Sequence, residues 1–256
     1  MHAKRTKQNG RPEKAWQLHL PGLLLVLPFS LVLSLGISAC QNVATYTQPT
    51  LVRVIDASYL APTSNFTVEG QLLAASVGSG SITPYGTFQA NGAAPITMTA
   101  ASGGAALVTS NAALLSGDQY SIFVTDTTAA PVVTTMTVLT DQQTQAASNH
   151  SAFRFLNQAP KTGAVDVYMV PAGATLADSV PLVTALPVGL SPFYVNFTSQ
   201  SVTMVITPTG NIKLAYTSAP ITLVGSEART VLIMDNKLTS NPPVAVTMVD
   251  DAGPAN

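Results

Sequence analysis

Few side chains in this 256-residue chain can do covalent or acid–base work. Cys40 is the only cysteine and so the only thiol nucleophile. His150 is the only histidine after it; a Ser-His-Asp system needs that ring packed between a hydroxyl and a carboxylate, and the Gln/Asn/Ser-rich residues around it read as a linker. The acids Asp118, Asp126, Glu227 and Asp235, with Asp250-Asp251, could pair across a sugar as a glycosidase requires, but their setting is that of turn acids. No His-x-His, Cys-x-x-Cys or D-x-D-x-D-G spacing occurs, so neither a metal nor a cofactor is expected. Arg53 and Arg154 are either ligand anchors or structural cations, each paired with a carboxylate of its own domain or laying its stem along the sheet; the structural role is expected. Tyr85, Phe193 and Tyr194 are the rings placed to contact a ligand such as a sugar. Phe193 and Tyr194, being adjacent, point to opposite faces of any extended segment. Phe66, Phe88, Phe123, Phe153 and Phe155 read as core.

The residues before Cys40 explain the thiol. Residues 1–22 hold five basic side chains and one acid, and residues 23–39 are almost wholly apolar, interrupted by Pro28. A basic start, an apolar stretch and small residues are the parts of an export signal. At 17 residues the stretch falls short of the roughly 20 that a spanning helix uses, so a permanent membrane anchor is the second choice. Ile37-Ser38-Ala39-Cys40 resembles the lipobox cut by the lipoprotein signal peptidase. That resemblance implies a diacylglyceryl group on the Cys40 thiol and acylation of its freed amine. Gln41, rather than aspartate, follows Cys40, and by the same resemblance the destination is the outer membrane, facing the periplasm or the surface.

Cleavage before Cys40 leaves 217 residues, enough for two domains. They carry six basic and eleven acidic side chains, which argues against a nucleic-acid partner, since phosphate binding needs clustered Lys and Arg. Apolar and hydroxyl residues dominate, unlike a disordered chain.

Short β-branched runs recur at Leu51–Ser58, Asn65–Glu69, Thr87–Ala90, Ile96–Ala100, Ala106–Thr109, Tyr120–Asp126 and Val132–Leu139. Turn clusters such as Asn91-Gly92 and Ser102-Gly103-Gly104 separate them, the pattern of a sandwich or barrel. The order then repeats. Val52-Arg53-Val54-Ile55 matches Phe153-Arg154-Phe155-Leu156, and Asn65-Phe66-Thr67-Val68 matches Asp166-Val167-Tyr168-Met169. Ile96-Thr97-Met98 is placed on Val202-Thr203-Met204. Gly117–Asp126 matches Ser226–Asp235, and Thr135–Val138 matches Ala245–Met248.

The segment Phe153-Arg154-Phe155-Leu156-Asn157-Gln158-Ala159-Pro160, with Ala164-Val165-Asp166-Val167-Tyr168-Met169-Val170-Pro171-Ala172-Gly173, resembles the domain of unknown function 4397 family. The resemblance covers most of residues 152–251 and, more weakly, 51–141. It implies an envelope protein with tandem copies and brings no established activity. A histidine frequent in that family after the first strand is replaced here by Asp56 and Asn157.

The expectation is an all-β chain: signal peptide 1–39, lipidated tether 40–50, sandwich repeats 51–141 and 152–251 joined by a linker 142–151, and a tail 252–256. Each repeat is expected to be immunoglobulin-like or transthyretin-like. The expected role is non-catalytic, structural or protein-binding, with the membrane as partner through Cys40 and an envelope protein or glycan as a further one. A carbohydrate-binding or adhesin-like module is the alternative.

Overall fold

A computed structural model describes residues 48–127, 130–141, 146–236 and 243–251; Cys40 with Ile37, Ser38 and Ala39, and the tail 252–256, lie outside them. The described residues form strands and no helix. The first half holds β1 (Thr50–Asp56), β2 (Ser64–Val68), β3 (Gln71–Val77), β4 (Gly86–Phe88), β5 (Asn91–Ala100), β6 (Ala106–Leu114), β7 (Gln119–Asp126) and β8 (Thr134–Thr140). The second holds β9 (His150–Gln158), β10 (Val165–Pro171), β11 (Val183–Leu186), β12 (Val195–Thr198), β13 (Ser201–Pro208), β14 (Tyr216–Thr217), β15 (Ile221–Thr222), β16 (Ala228–Asp235) and β17 (Val244–Asp250).

Four sheets result. In the first half they run β4-β1-β7-β8 and β3-β2-β5-β6; in the second, β12-β9-β16-β17 and β11-β10-β13-β14, with β15 also on β13. Strand periodicity shows how they stack. Val52 and Val54 of β1 and Ile122 and Val124 of β7 pack with Phe66, Val68, Ile96 and Met98 of the facing sheet. Phe153, Phe155, Val231 and Ile233 do the same with Val167, Met169, Met204 and Ile206. The alternate residues point the other way. Ile55 and Phe123 from one half meet Leu156, Leu232 and Met234 from the other, so the two inner sheets share a third core.

This layering explains the burial pattern. β2, with one covered face, alternates buried and half-buried residues, whereas β1 and β9 are buried almost throughout. The central pairs β1–β7 and β9–β16 are parallel, the arrangement that suits strands covered on both faces. Both halves fall within one compact unit, Tyr46–Asn256.

Three details depart from the sequence reading. β3 was not foreseen: it is an exposed edge strand whose pairing with β2 is broken twice by register shifts, so no period-2 pattern survives. His150 and Ser151 open β9 rather than close a linker. The equivalence of β5 and β13 is also shifted. Phe66 pairs with Met98 and Val167 with Ile206, which places Ile96, not Met98, on Met204. A two-residue slip keeps the same face inward, so hydrophobicity alone did not reveal it.

Asn65 and Asp166 occupy matching places and do matching work. The Asn65 amide oxygen accepts the Ser76 N–H, and the Asp166 carboxylate accepts the Ala185 N–H. Ser76 and Ala185 both have positive φ, at 53° and 52°, and both sit in edge strands beside a register shift. The side chain holds a backbone conformation that non-glycine residues seldom adopt.

Candidate functional site

Arg53 and Arg154 lie on the faces of β1 and β9 that turn toward the other half, at 1% and 0% exposure. Parallel register sets a hydroxyl beside each: Arg53 opposite Ser121, Arg154 opposite Thr230. Arg53 Nε donates to Ser121 Oγ at 2.8 Å, and Arg154 Nε to Thr230 Oγ1 at 3.0 Å. The residue after the last strand of each half supplies the counter-charge. Asp141 follows β8 and Asp251 follows β17, and each anchors its backbone on the first residue of a neighbouring strand, Asp141 N–H on Gln119 and Asp251 N–H on Ala228.

The ion pairs cross between the halves. Arg53 Nη2 pairs with Asp251 Oδ1, and Arg154 Nη2 with Asp141 Oδ1. Each carboxylate's other oxygen stays at home. Asp141 Oδ2 accepts from Ser121 and from the Tyr85 hydroxyl at 2.6 Å; Asp251 Oδ2 accepts from Thr230 and from the Tyr194 hydroxyl at 2.8 Å. The guanidiniums stack on the same tyrosines, Arg53 at 4.7 Å from the Tyr85 centroid and Arg154 at 5.0 Å from that of Tyr194. Remaining donors reach main chain: Arg53 Nη1 donates to Asp250 O, Arg154 Nη1 to Thr140 O.

The charges balance, two cations against two anions, and every one is hydrogen-bonded, which is the condition for burying ions. Burial by itself would lower the Arg53 pKa; the charges of Asp251 and Asp141 more than offset it, and the guanidinium stays ionised above its ordinary value. Burial, reinforced by the Asp141 charge, pushes the Tyr85 hydroxyl far above its usual range despite Arg53, so it remains a donor.

The sequence reading offered each arginine a carboxylate of its own domain or a stem laid along the sheet. The structure corrects the pairing: the direct carboxylate partners lie across the interface, and the own-half carboxylate contact, Arg53 Nε to Asp141 Oδ2, is at 3.8 Å. Tyr85 and Tyr194, taken from the sequence as ligand contacts, are half-buried with one face and the hydroxyl engaged in this network, whereas Phe193 is 76% exposed. Asp141 was missed as a functional group. The available signal was the repetition itself, since each half carries Arg, Tyr, a hydroxyl residue and Asp in the same order.

At the other end of β1, β7, β9 and β16 the halves enclose a cleft of about 420 Å³. Its wall is largely apolar, with Ala57, Tyr59, Leu60, Val132, Pro160 and Val188, and includes Asp126, Asp235 and Lys161. Two of the candidate acids, Asp126 and Asp235, therefore meet one cleft. Both are tied to loops. Asp126 accepts from the Ser58 and Thr134 hydroxyls on Oδ1 and from the Tyr59 and Leu60 N–H groups on Oδ2. Asp235 accepts from Thr162 N–H and hydroxyl on Oδ1 and from Lys161 N–H on Oδ2. Tyr59 fastens the halves together here: its hydroxyl donates to Gln158 O at 2.8 Å and accepts the Asp235 N–H at 2.6 Å. Burial first, then the Asp235 and Asp126 charges, push its pKa up to about 12 against the lowering effect of that N–H.

The other acids lie elsewhere. Asp118 accepts from the Tyr120 hydroxyl, and Glu227 and Asp250 both pair with Arg229. His150 Nδ1 bonds Asn149 Oδ1. Among the described residues no group of three or more His, Cys, Asp and Glu could hold a metal.

The class these features define is an all-β protein of several stacked sheets, consistent with β-sandwich construction. Residues 50–168 match the model of a family described as a domain of unknown function, DUF4397. The match supports that domain family, covers the whole first half and runs on into β10, and so falls on the half where the resemblance was expected to be weaker. No curated protein matches the chain.

Proposed function

We propose that the protein is a non-catalytic, lipid-anchored component of the cell envelope, built from two tandem immunoglobulin-like or transthyretin-like copies of the DUF4397 domain fused into one body. The observation that carries the anchor is the run ending at Ala39-Cys40, the chain's only thiol placed after a basic start and an apolar stretch. Acyl chains there contribute about 0.8 kcal/mol per buried CH₂, enough for stable attachment when several are present. The matching strand order and the reciprocal Arg–Asp exchange support the tandem reading. A rigid body on a short tether suits a scaffold or a protein-recognition module in the outer membrane, with residues 1–39 removed as signal peptide.

The non-catalytic reading is supported by the state of one of the two acids in the cleft. Asp126 already accepts four hydrogen bonds, which leaves no lone pair to take a substrate's proton. The carbohydrate-binding alternative rests on the exposed Phe193 ring. Metabolic labelling with a fatty-acid analogue tests the anchor: label is expected on wild type and lost in Cys40→Ser. Unlabelled mature wild-type protein would sink the proposal.

A further inference from the structure

We propose that the cleft between the halves binds a small organic cation, an ammonium group carried on an apolar body. This goes beyond the anchoring role and holds whether or not Cys40 is acylated. The cleft has the volume of a small-molecule site and lies between two packed units, where such sites concentrate. Its apolar wall recognises a hydrophobic body. Its charges choose the sign of the head group. Asp126 and Asp235 contribute two negative charges and Lys161 one positive, and Lys161 makes no ion pair among the described residues.

Hydrogen bonding separates the roles of the two acids. Asp126 is saturated by its four donors and acts through its charge alone. Asp235 Oδ2 accepts a single bond, from the Lys161 N–H, and retains a lone pair for an ammonium donor. Among the described residues, an anion of the same shape would meet two carboxylates with one amine to oppose them. The arginine network cannot serve instead, because its charges are already paired and buried.

The test is equilibrium dialysis with the full chain in phosphatidylcholine vesicles, protein-free vesicles serving as blank. The probes are 2-phenylethylammonium and 3-phenylpropanoate, alike in body and opposite in charge. The expected result is saturable binding of the ammonium, one per chain, at least about tenfold tighter than the carboxylate, a difference of about 1.4 kcal/mol. Lys161→Gln, an exposed substitution, should tighten the ammonium about threefold by removing a like charge. Val188→Trp, which narrows the cleft, should weaken binding of the ammonium at least about tenfold. Equal or tighter binding of 3-phenylpropanoate overturns the assignment of charge. Absence of saturable binding of either probe, or an ammonium affinity unchanged by Val188→Trp, overturns the site.

Discussion

Arg53→Met removes one cation from the network and keeps most of the side chain's apolar stem. The losses are the pair with Asp251, the bonds to Ser121 Oγ and Asp250 O, and the stack on Tyr85. The Asp251 carboxylate stays behind at 0% exposure, still accepting from Thr230 and Tyr194 but without its counter-charge. Breaking a buried pair from one side costs about 3–5 kcal/mol. The two retained hydroxyl bonds place this case near the lower end, about 3–4 kcal/mol, or a fall in Tm of roughly 10 °C for a body of this size. Urea unfolding followed by tyrosine fluorescence and far-ultraviolet circular dichroism reads it directly. Arg154→Met should cost a similar amount, to within about 1 kcal/mol: Asp141 keeps Arg53 Nε at 3.8 Å, while a stack on Phe123 is lost. In Arg53→Met/Asp251→Asn the carboxylate's charge is gone while its oxygen still accepts. The double variant should therefore recover about 1–3 kcal/mol relative to the sum of the singles. A single-variant cost under about 1 kcal/mol, or strict additivity in the cycle, would refute the coupling of the two halves through these ions.

Tyr85→Phe and Tyr194→Phe each withdraw one hydroxyl from a buried carboxylate and should lower stability by about 1.5–3 kcal/mol, measured by the same unfolding curves; equal stability would place those hydroxyls outside the network. Alkaline pH should destabilise the fold. An unfolded tyrosine ionises near pH 10, while the folded values of Tyr59, Tyr85 and Tyr120 are raised. Their contribution is therefore whole below pH 10 and drains away as pH climbs through about 12 for Tyr59 and higher for Tyr85. A phenolate absorbance titration in which all seven tyrosines ionise together near pH 10 with the fold intact would contradict this.

Local chemistry was legible where one face of a strand is buried. The phenylalanines assigned to the core, Phe66, Phe88, Phe123, Phe153 and Phe155, are all buried. The repeat could be read at the inner strands because they keep the same order of apolar and polar residues on both faces. It slipped at β5 and β13, where Thr alternates with apolar residues and a shift of two changes nothing that hydrophobicity can detect. β3 was hidden by its exposure and irregular register. The pairing of Arg53 with Asp251 spans 198 residues, and a sequence orders residues without saying which of two equivalent carboxylates a cation will choose. The cleft was invisible for the same reason, since its wall is assembled from the loops of two halves that no local pattern joins.

The course of β1 gives the body a direction. It runs from Arg53 in the network to Ala57 and Tyr59 at the cleft. Gln48, whose carbonyl accepts from Ser116 in the turn before β7, enters at the network end, and Asp251 leaves there, beside Arg53. Seven residues lie between Cys40 and Gln48, so the chain reaches at most about 28 Å from one to the other. With acyl chains on Cys40, as proposed, the tether joins the body at its charge-paired end, the end opposite the cleft.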